Sequence, residues 1–287
     1  MSKKVAIITG CSSGFGLMSA LELAQSGFQV VATMRDPNKS TELLTQAEKE
    51  HVKEHITVFP LDVTSKESIE GLMEYIKSLP SVDVLVNNAG FAVGGFCEEL
   101  TIEDYQEQFD TNFFGVISVT KAVLPYMREQ QSGRMINISS ISGRIGFPGL
   151  SPYVSSKFAL EGFSEALSFE VAPFGIDVVL VEPGSYETSI WSTGTKLRTD
   201  HSSREDSPYY FYLKAILKNL HKAKPKYGDP REVARLVASI ASQKTKPALR
   251  YPVGKGVKTS IRLKHILPSN QMKSIVTKKL LGSKVGD

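Results

Sequence analysis

A short β-branched apolar run, Val5-Ala6-Ile7-Ile8, breaks directly into Thr9-Gly10-Cys11-Ser12-Ser13-Gly14-Phe15-Gly16. A helix-forming stretch from Leu17 to Gln25 follows, Gly27 stops it, and the chain resumes with Gln29-Val30-Val31-Ala32-Thr33-Met34. Two apolar strands joined by a helix form a crossover rather than a hairpin, and a crossover imposes parallel pairing. The same alternation of strand and helical periodicity continues through Ile56–Leu61, Val82–Asn87, Arg134–Ser139 and Ile176–Val181. These runs lack a polar-apolar alternation, as strands buried on both faces do. The predicted fold class is therefore α/β, a doubly wound parallel sheet in one domain. A chain of 287 residues with 41% apolar content is large enough for such a core.

Two regions depart from this alternation. Between Tyr186 and Asp229 lie a polar patch, Thr199–Ser207, and an aromatic run, Tyr209-Tyr210-Phe211-Tyr212. A connection of that length reads as a substrate lid at about 186–228. After a strand-like Leu249–Val253, which closes a catalytic domain over 1–254, residues 255–287 form a basic extension of two apolar-striped segments split by Pro268. The formal charge of +4 is concentrated there: Lys255–Asp287 carries +7 and everything before it −3. A basic tail is not the basic groove that nucleic-acid binding by the domain would need.

The start, Met1-Ser2-Lys3-Lys4, precedes an apolar run far too short for a secretory leader, and no stretch reaches the ~18 apolar residues of a membrane span. A cytoplasmic protein is expected. Cys11 and Cys97 form neither a disulfide framework nor a ligand pattern, and no His, Cys and carboxylate cluster has metal-ligand spacing, so no metal is expected.

The glycine loop sits where a strand feeds a helix, the position at which glycines let a phosphate approach the backbone and the helix amides. Its spacing is Gly-x3-Gly-x-Gly. At the end of the second strand no carboxylate appears; Arg35 stands just beyond it and would suit an adenosine 2′-phosphate. Asp36 could instead meet a ribose hydroxyl or neutralise Arg35. Asp62-Val63 after the third strand reads either as an adenine contact or, through Asp62, as the N-cap of a helix starting at Thr64 or Ser65. Tyr153 and Lys157 are one helical turn apart on one face, where a neighbouring ammonium would draw the phenol below its usual value of about 10.

Thr9–Gly16, Asn87-Asn88-Ala89-Gly90, Asn112, Ser140, Tyr153-x3-Lys157 and Pro183-Gly184-x3-Thr188, taken in that order over Val5 to about Leu249, resemble the short-chain dehydrogenase/reductase family. Cys11–Gly14, Ala32–Arg35, Lys157–Gly162 and Leu249-Arg250-Tyr251 look closest to its 17β-hydroxysteroid and retinol dehydrogenase branch. The resemblance implies a Rossmann-type fold and hydride transfer between a nicotinamide and a carbonyl or alcohol; Arg35 favours NADP(H) as that nicotinamide, with NAD(H) possible. It implies Ser140, thirteen residues before Tyr153, as the serine that polarises the substrate oxygen, with Ser139 structural. Tyr153 would be the proton donor and acceptor, and Lys157 would hold the nicotinamide ribose and tune the phenol. Asn112 would hold a relay water. Cofactor contacts would come from Gly10, Ser12, Ser13, Gly14, Phe15, Gly16, Arg35, Asp62, Val63, Asn88, Ala89 and Gly90. Around the nicotinamide they would come from Pro183, Gly184, the backbone of Tyr186, and Thr188; Tyr186 is bulkier than the branch leads one to expect.

The same resemblance implies a homodimer or homotetramer through helices around Asn112–Met127 and Tyr153–Phe169. Phe91–Gly94, Phe96, Ile145, Phe147, Leu150 and Trp191, with the aromatic run, would suit a small hydrophobic substrate. A nucleotide-sensing protein without turnover is the alternative, although it would not need the Asn, Ser, Tyr and Lys set. The tail reads as a lid, a packed helix or, less favoured, a contact with an anionic membrane surface.

Overall fold

The structure, a computed structural model, describes residues 3–187, 195–199, 202–223 and 227–281. The first half of the chain gives β1 (Val5–Ile8), α1 (Gly14–Gln25), β2 (Gln29–Met34), α2 (Thr41–Lys49), β3 (Ile56–Pro60), α3 (Lys66–Ile76), β4 (Val84–Asn87), β5 (Ala92–Gly94), α4 (Ile102–Phe109) and α5 (Gly115–Glu129). The second half gives β6 (Gly133–Ile138), α6 (Ser151–Val171), β7 (Ile176–Pro183), β8 (Thr195–Leu197), α7 (Tyr210–Ala223), α8 (Pro230–Ser242), β9 (Arg250–Val253), α9 (Val257–Ile266) and α10 (Ser269–Leu281).

Seven strands form one parallel sheet in the order β3-β2-β1-β4-β6-β7-β9. Successive residues of each strand point to opposite faces, and both faces are covered. Ala6, Ile8, Val84, Val86 and Ile136 pack with α1 and α8, while Val5, Ile7, Leu85 and Met135 pack with α3, α5 and α6. That two-sided burial is why the strand sequences do not alternate. The strand order reverses between β1 and β4, so the loops leaving these two strands, with those leaving β6 and β7, gather at one edge of the sheet, where doubly wound folds hold ligands.

The structure adds features that periodicity did not disclose. α1 begins at Gly14, inside the glycine loop, three residues before the predicted start. β5 and β8 make a separate parallel pair, Ala92 with Thr195 through Gly94 with Leu197. A π-helical turn, Asp110–Phe114, joins α4 to α5. The C-terminal segments on either side of Pro268 are α9 and α10; α9 buries Val257 and Ile261, and α10 packs against α7 and α9.

Candidate active site

The loop after β1 is held by close backbone approaches. Gly10 has φ +73°, the left-handed region, and a Cβ there would stand 2.8 Å from the Ala89 Cα. A Cβ on Gly16 would stand 2.2 Å from the Gly10 carbonyl oxygen. Thr9 Oγ1 accepts the N–H groups of Asn88 and Ala89 at 2.9 Å each, and Asn88 Nδ2 donates to the carbonyls of Thr9 at 2.8 Å and Gly10 at 3.0 Å. Ser12, Ser13 and Phe15 lie half-buried along the turn, and Gly90 is exposed beyond Ala89. Ser13 occupies the N-cap position of α1 without capping it through its side chain, which leaves the first helical amides suited to an anion. A cradle that a Cβ would fill, at a helix N-terminus, fits a dinucleotide's pyrophosphate.

At the next strand end Arg35 is exposed, and Asp36 is engaged elsewhere: its Oδ1 accepts the Asn38 N–H at 3.0 Å and caps the short turn Pro37–Ser40. Among the described residues Arg35 forms no ion pair with it. Asp62 Oδ1 accepts from the Thr64 N–H at 2.9 Å and the Thr64 hydroxyl at 2.7 Å. The N-cap of α3 is Ser65, whose Oγ accepts the Ser68 N–H at 3.2 Å, so Asp62 stabilises the turn before the helix and does not cap it. Val63 beside it is buried.

β6 delivers Ser139 and Ser140. Ser140 Oγ accepts the Ser142 N–H at 3.0 Å and is hydrogen-bonded to the Tyr153 hydroxyl. Pro152, in the first turn of α6, suits a helix start, and Tyr153, Lys157 and Glu161 follow at four-residue spacing on the buried face. Lys157 Nζ donates to the Ile138 carbonyl at 2.8 Å and lies 5.8 Å from the Tyr153 ring centroid. The expectation that the ammonium draws the phenol down is reversed here. Burial raises the Tyr153 phenol, with the Ser140 hydrogen bond opposing, and burial brings Lys157 down to about 8 against the attraction of Glu161. In so dry a site desolvation of each charged form outweighs their mutual influence. Asn112 sits in the π turn, where Nδ2 donates to the Phe91 carbonyl at 3.0 Å and Oδ1 accepts the Phe91 N–H at 3.1 Å. Its amide thereby fastens the loop after β4.

Sequence reasoning missed the charges behind these residues. Ser139 Oγ donates to Glu161 Oε1 at 2.6 Å, and Arg250 donates to Glu161 Oε2 at 2.9 Å and Glu165 Oε2 at 2.5 Å. Glu182, wholly buried in β7, accepts from Arg144 at 2.8 Å. Burial and the nearby Glu161 push its carboxyl up, while Arg144 and Arg250 oppose them. Two signals were available: Glu161 shares the face of Lys157, and Glu182 stands inside an otherwise apolar strand, where a charge requires partners.

Pro183 ends β7, and Gly184 lies under α9, where a Cβ would stand 2.5 Å from Val257 Cγ2. The bulk of Tyr186 is accommodated in the core. Its hydroxyl donates to Glu232 Oε2 at 2.8 Å, its ring meets Phe15 edge-on at 5.6 Å, and burial followed by Glu232 raises its phenol. Thr188 and Trp191 lie outside the described residues. Of the substrate candidates, Ala92–Gly94 form the buried β5. Phe96 stacks on Tyr209 at 4.4 Å and meets Tyr212 at 5.2 Å, while Leu150 bridges to Gly95. Among the described residues no group of His, Cys, Asp or Glu is placed to hold a metal ion, and no helix is long and apolar enough to cross a membrane.

Residues 4–198 match the short chain dehydrogenase family. The uncharacterized oxidoreductase YusZ of Bacillus subtilis is 49% identical, over 98% of this chain and 99% of that one. Retinol dehydrogenase 8 of Bos taurus is 37% identical, over 94% of this chain and 87% of that one. Among solved structures, ElxO with NADP bound superposes with a TM-score of 0.75 at 27% identity, covering 90% of this chain and 100% of that one. A parallel sheet with its glycine cradle at the strand-order reversal and these relatives lead to one conclusion: the chain belongs to the short-chain dehydrogenase/reductase family, near its retinol dehydrogenase-like branch, and is an enzyme acting on a CH–OH group with a nicotinamide cofactor.

Proposed function

We propose that the chain is an NADP(H)-dependent oxidoreductase that interconverts a hydrophobic ketone or aldehyde with its alcohol, using Tyr153 as the general acid and base. The observation that carries this reading is the buried Ser140–Tyr153 hydrogen bond, one helical turn from Lys157 at the sheet edge that bears the glycine cradle. Gly10, Ser12, Ser13, Gly14, Phe15 and Gly16 hold the pyrophosphate; Asp62, Val63, Asn88, Ala89 and Gly90 border the adenosine. Pro183, Gly184, the Tyr186 backbone and Thr188 hold the nicotinamide end. A bound nicotinamide supplies or accepts the hydride.

Ser140 Oγ orients the substrate oxygen, and Tyr153 gives that oxygen its proton in reduction and takes it in oxidation. Lys157 binds the ribose hydroxyls, while the Ser140 hydrogen bond opposes the rise in the Tyr153 phenol. Since the Asn112 amide is fastened to Phe91, a water relay past it would run along the main chain of the π turn. Arg35, exposed and unopposed by Asp36, favours the 2′-phosphate of NADP(H), in keeping with the NADP-bound neighbour. Retinol dehydrogenase 8, by its name, acts on retinol, and the cluster of Phe96, Tyr209 and Tyr212 suits an apolar substrate.

Ketones, aldehydes and secondary alcohols graded by apolarity, followed through NADPH absorbance, test the reading. Turnover is expected to rise with apolarity. Tight NADP(H) binding without turnover of any compound would replace it with nucleotide sensing. We also assign a homodimer or homotetramer through α5 and α6, on and beside which Phe114, Phe158 and Phe169 are exposed. A monomer by sedimentation at micromolar concentration would remove that assignment.

A further inference from the structure

Between the segment that follows Ser140 and the C-terminal extension lies a half-open cavity of about 380 Å³, within the range of roughly 300–1,000 Å³ that accommodates small organic ligands. Its inner wall belongs to the segment between Ser140 and Tyr153, where Ile145 and Pro148 line it. Its outer wall is the C-terminal extension: Leu267 at the end of α9, then Met272 and Val276 one turn apart on α10. Tyr212, whose ring meets Phe96, joins the two walls.

Among the described residues, the ionisable side chains lining this apolar space, apart from Tyr212, are Lys264 and Lys273, and no carboxylate lines it. Lys264 Nζ is held in place, donating to the Arg144 carbonyl at 2.6 Å and lying 4.9 Å over the Phe158 ring. Burial and the Arg144 guanidinium hold its ammonium below the usual lysine value. Glu182 is bonded to Arg144. Lys273 forms no hydrogen bond or ion pair among the described residues. An apolar chamber rimmed by two ammonium groups complements a molecule with an apolar body and an anionic end.

We propose that this cavity is a substrate subsite that selects carbonyl or alcohol compounds carrying a carboxylate or phosphate monoester on an aliphatic body, with Lys273 and Lys264 as the charge-reading residues. This rests on the oxidoreductase reading and names its substrate class. The apolar body lies against Ile145, Leu267, Met272 and Val276, and the chain leads inward along the Ser140–Tyr153 segment.

The test compares a medium-chain oxo acid with its methyl ester on the full-length enzyme. The acid is expected to have a kcat/KM about ten-fold or more above that of the ester, as a charged hydrogen bond would give. Lys273→Glu is expected to bring the ratio to unity or below, and Lys273→Arg to restore it. Equal values for acid and ester, or a ratio unmoved by Lys273→Glu, would overturn the proposal. A second arm does not depend on turnover: equilibrium binding of decanoate, decyl phosphate and decanol. Tighter binding of either anion than of decanol, lost in Lys273→Glu, supports the subsite even if no carbonyl compound is turned over, an outcome that would sink the oxidoreductase reading alone. Anionic phospholipid vesicles bound through Lys273 while neither soluble anion binds would overturn the subsite in favour of a membrane-facing patch.

Discussion

At the turn from β1 into α1 backbone packs on backbone, whereas around Phe96, Tyr212 and α10 side chain packs on side chain. In the first region a Cβ on Gly16 has no room, and Thr9 and Asn88 fix the two loops with direct hydrogen bonds. In the second, the walls come from elements far apart in the chain, and the surface beside them leaves Phe211 and Ile266 largely exposed. The contrast separates what every substrate of such an enzyme shares from what distinguishes one substrate from another. A cofactor of fixed shape calls for a rigid cradle; a substrate class calls for replaceable side chains.

Tyr153→Phe gives the largest expected effect because it removes the proposed acid and base itself. The ring keeps its packing on α6 while the oxygen bonded to Ser140 is lost. Turnover should fall by roughly 10²–10⁴-fold, the usual contribution of a positioned acid or base, with cofactor affinity and thermal midpoint retained. Stopped-flow rates within a few-fold of the parent enzyme would transfer the proton to another group.

Arg35→Ala probes the cradle alone. NADP(H) should weaken by about 10- to 100-fold, the loss of a charged hydrogen bond, and NAD(H) much less. Fluorescence titrations in which both cofactors weaken equally would remove Arg35 as the selector.

The strands of the parallel sheet and the glycine turn were legible in the sequence because each rests on local chemistry: an apolar run, a glycine-rich break after it, a helix-forming stretch beyond. The buried pairs were not legible in the same way. Glu161 meets Arg250 across eighty-nine positions of chain, and a contact of that separation leaves no local periodicity. The lining of the cavity by α10 was equally hidden, since its stripe of Met272 and Val276 suits a lid, a packed helix or a lipid surface alike. Burial also decided the Tyr153 and Lys157 acidities, and burial belongs to the assembled fold rather than to the spacing of two residues.

Glu161→Gln sharpens that point and should have a moderate effect. Lys157 lies near 8, with burial lowering it and Glu161 raising it. Its ammonium, which the proposed role requires, is present below that pH and lost above it, so cofactor affinity should decline as pH passes through about 8. Removing the Glu161 charge lowers Lys157 further and moves the break to lower pH. The groups around it, Tyr153, Glu161 and beyond it Arg250 and Glu182, are unchanged in number apart from the one substitution. Cofactor dissociation constants measured from pH 6 to 10 for both proteins would show the displacement; a break that stays in place would confine Glu161 to holding Ser139 and Arg250.

The smallest effect separates two glycines that a sequence treats alike. Gly16 and Gly71 both lie in helices, α1 and α3, but a Cβ on Gly16 meets the Gly10 carbonyl at 2.2 Å while one on Gly71 has nothing within 4 Å. Gly16→Ala therefore forces backbone to move and should destabilise by about 1–3 kcal/mol, loosening the cofactor with it. Gly71→Ala only removes freedom from the unfolded chain and improves helix propensity, so it should stabilise by roughly 0.5–1 kcal/mol, a rise of about 1–3 °C in Tm. Paired thermal melts, with and without NADP(H), decide the matter. The ligand-induced gain in Tm should survive in Gly71→Ala and shrink in Gly16→Ala; equal gains would mean that the close approach at Gly16 belongs to the fold and not to the cofactor.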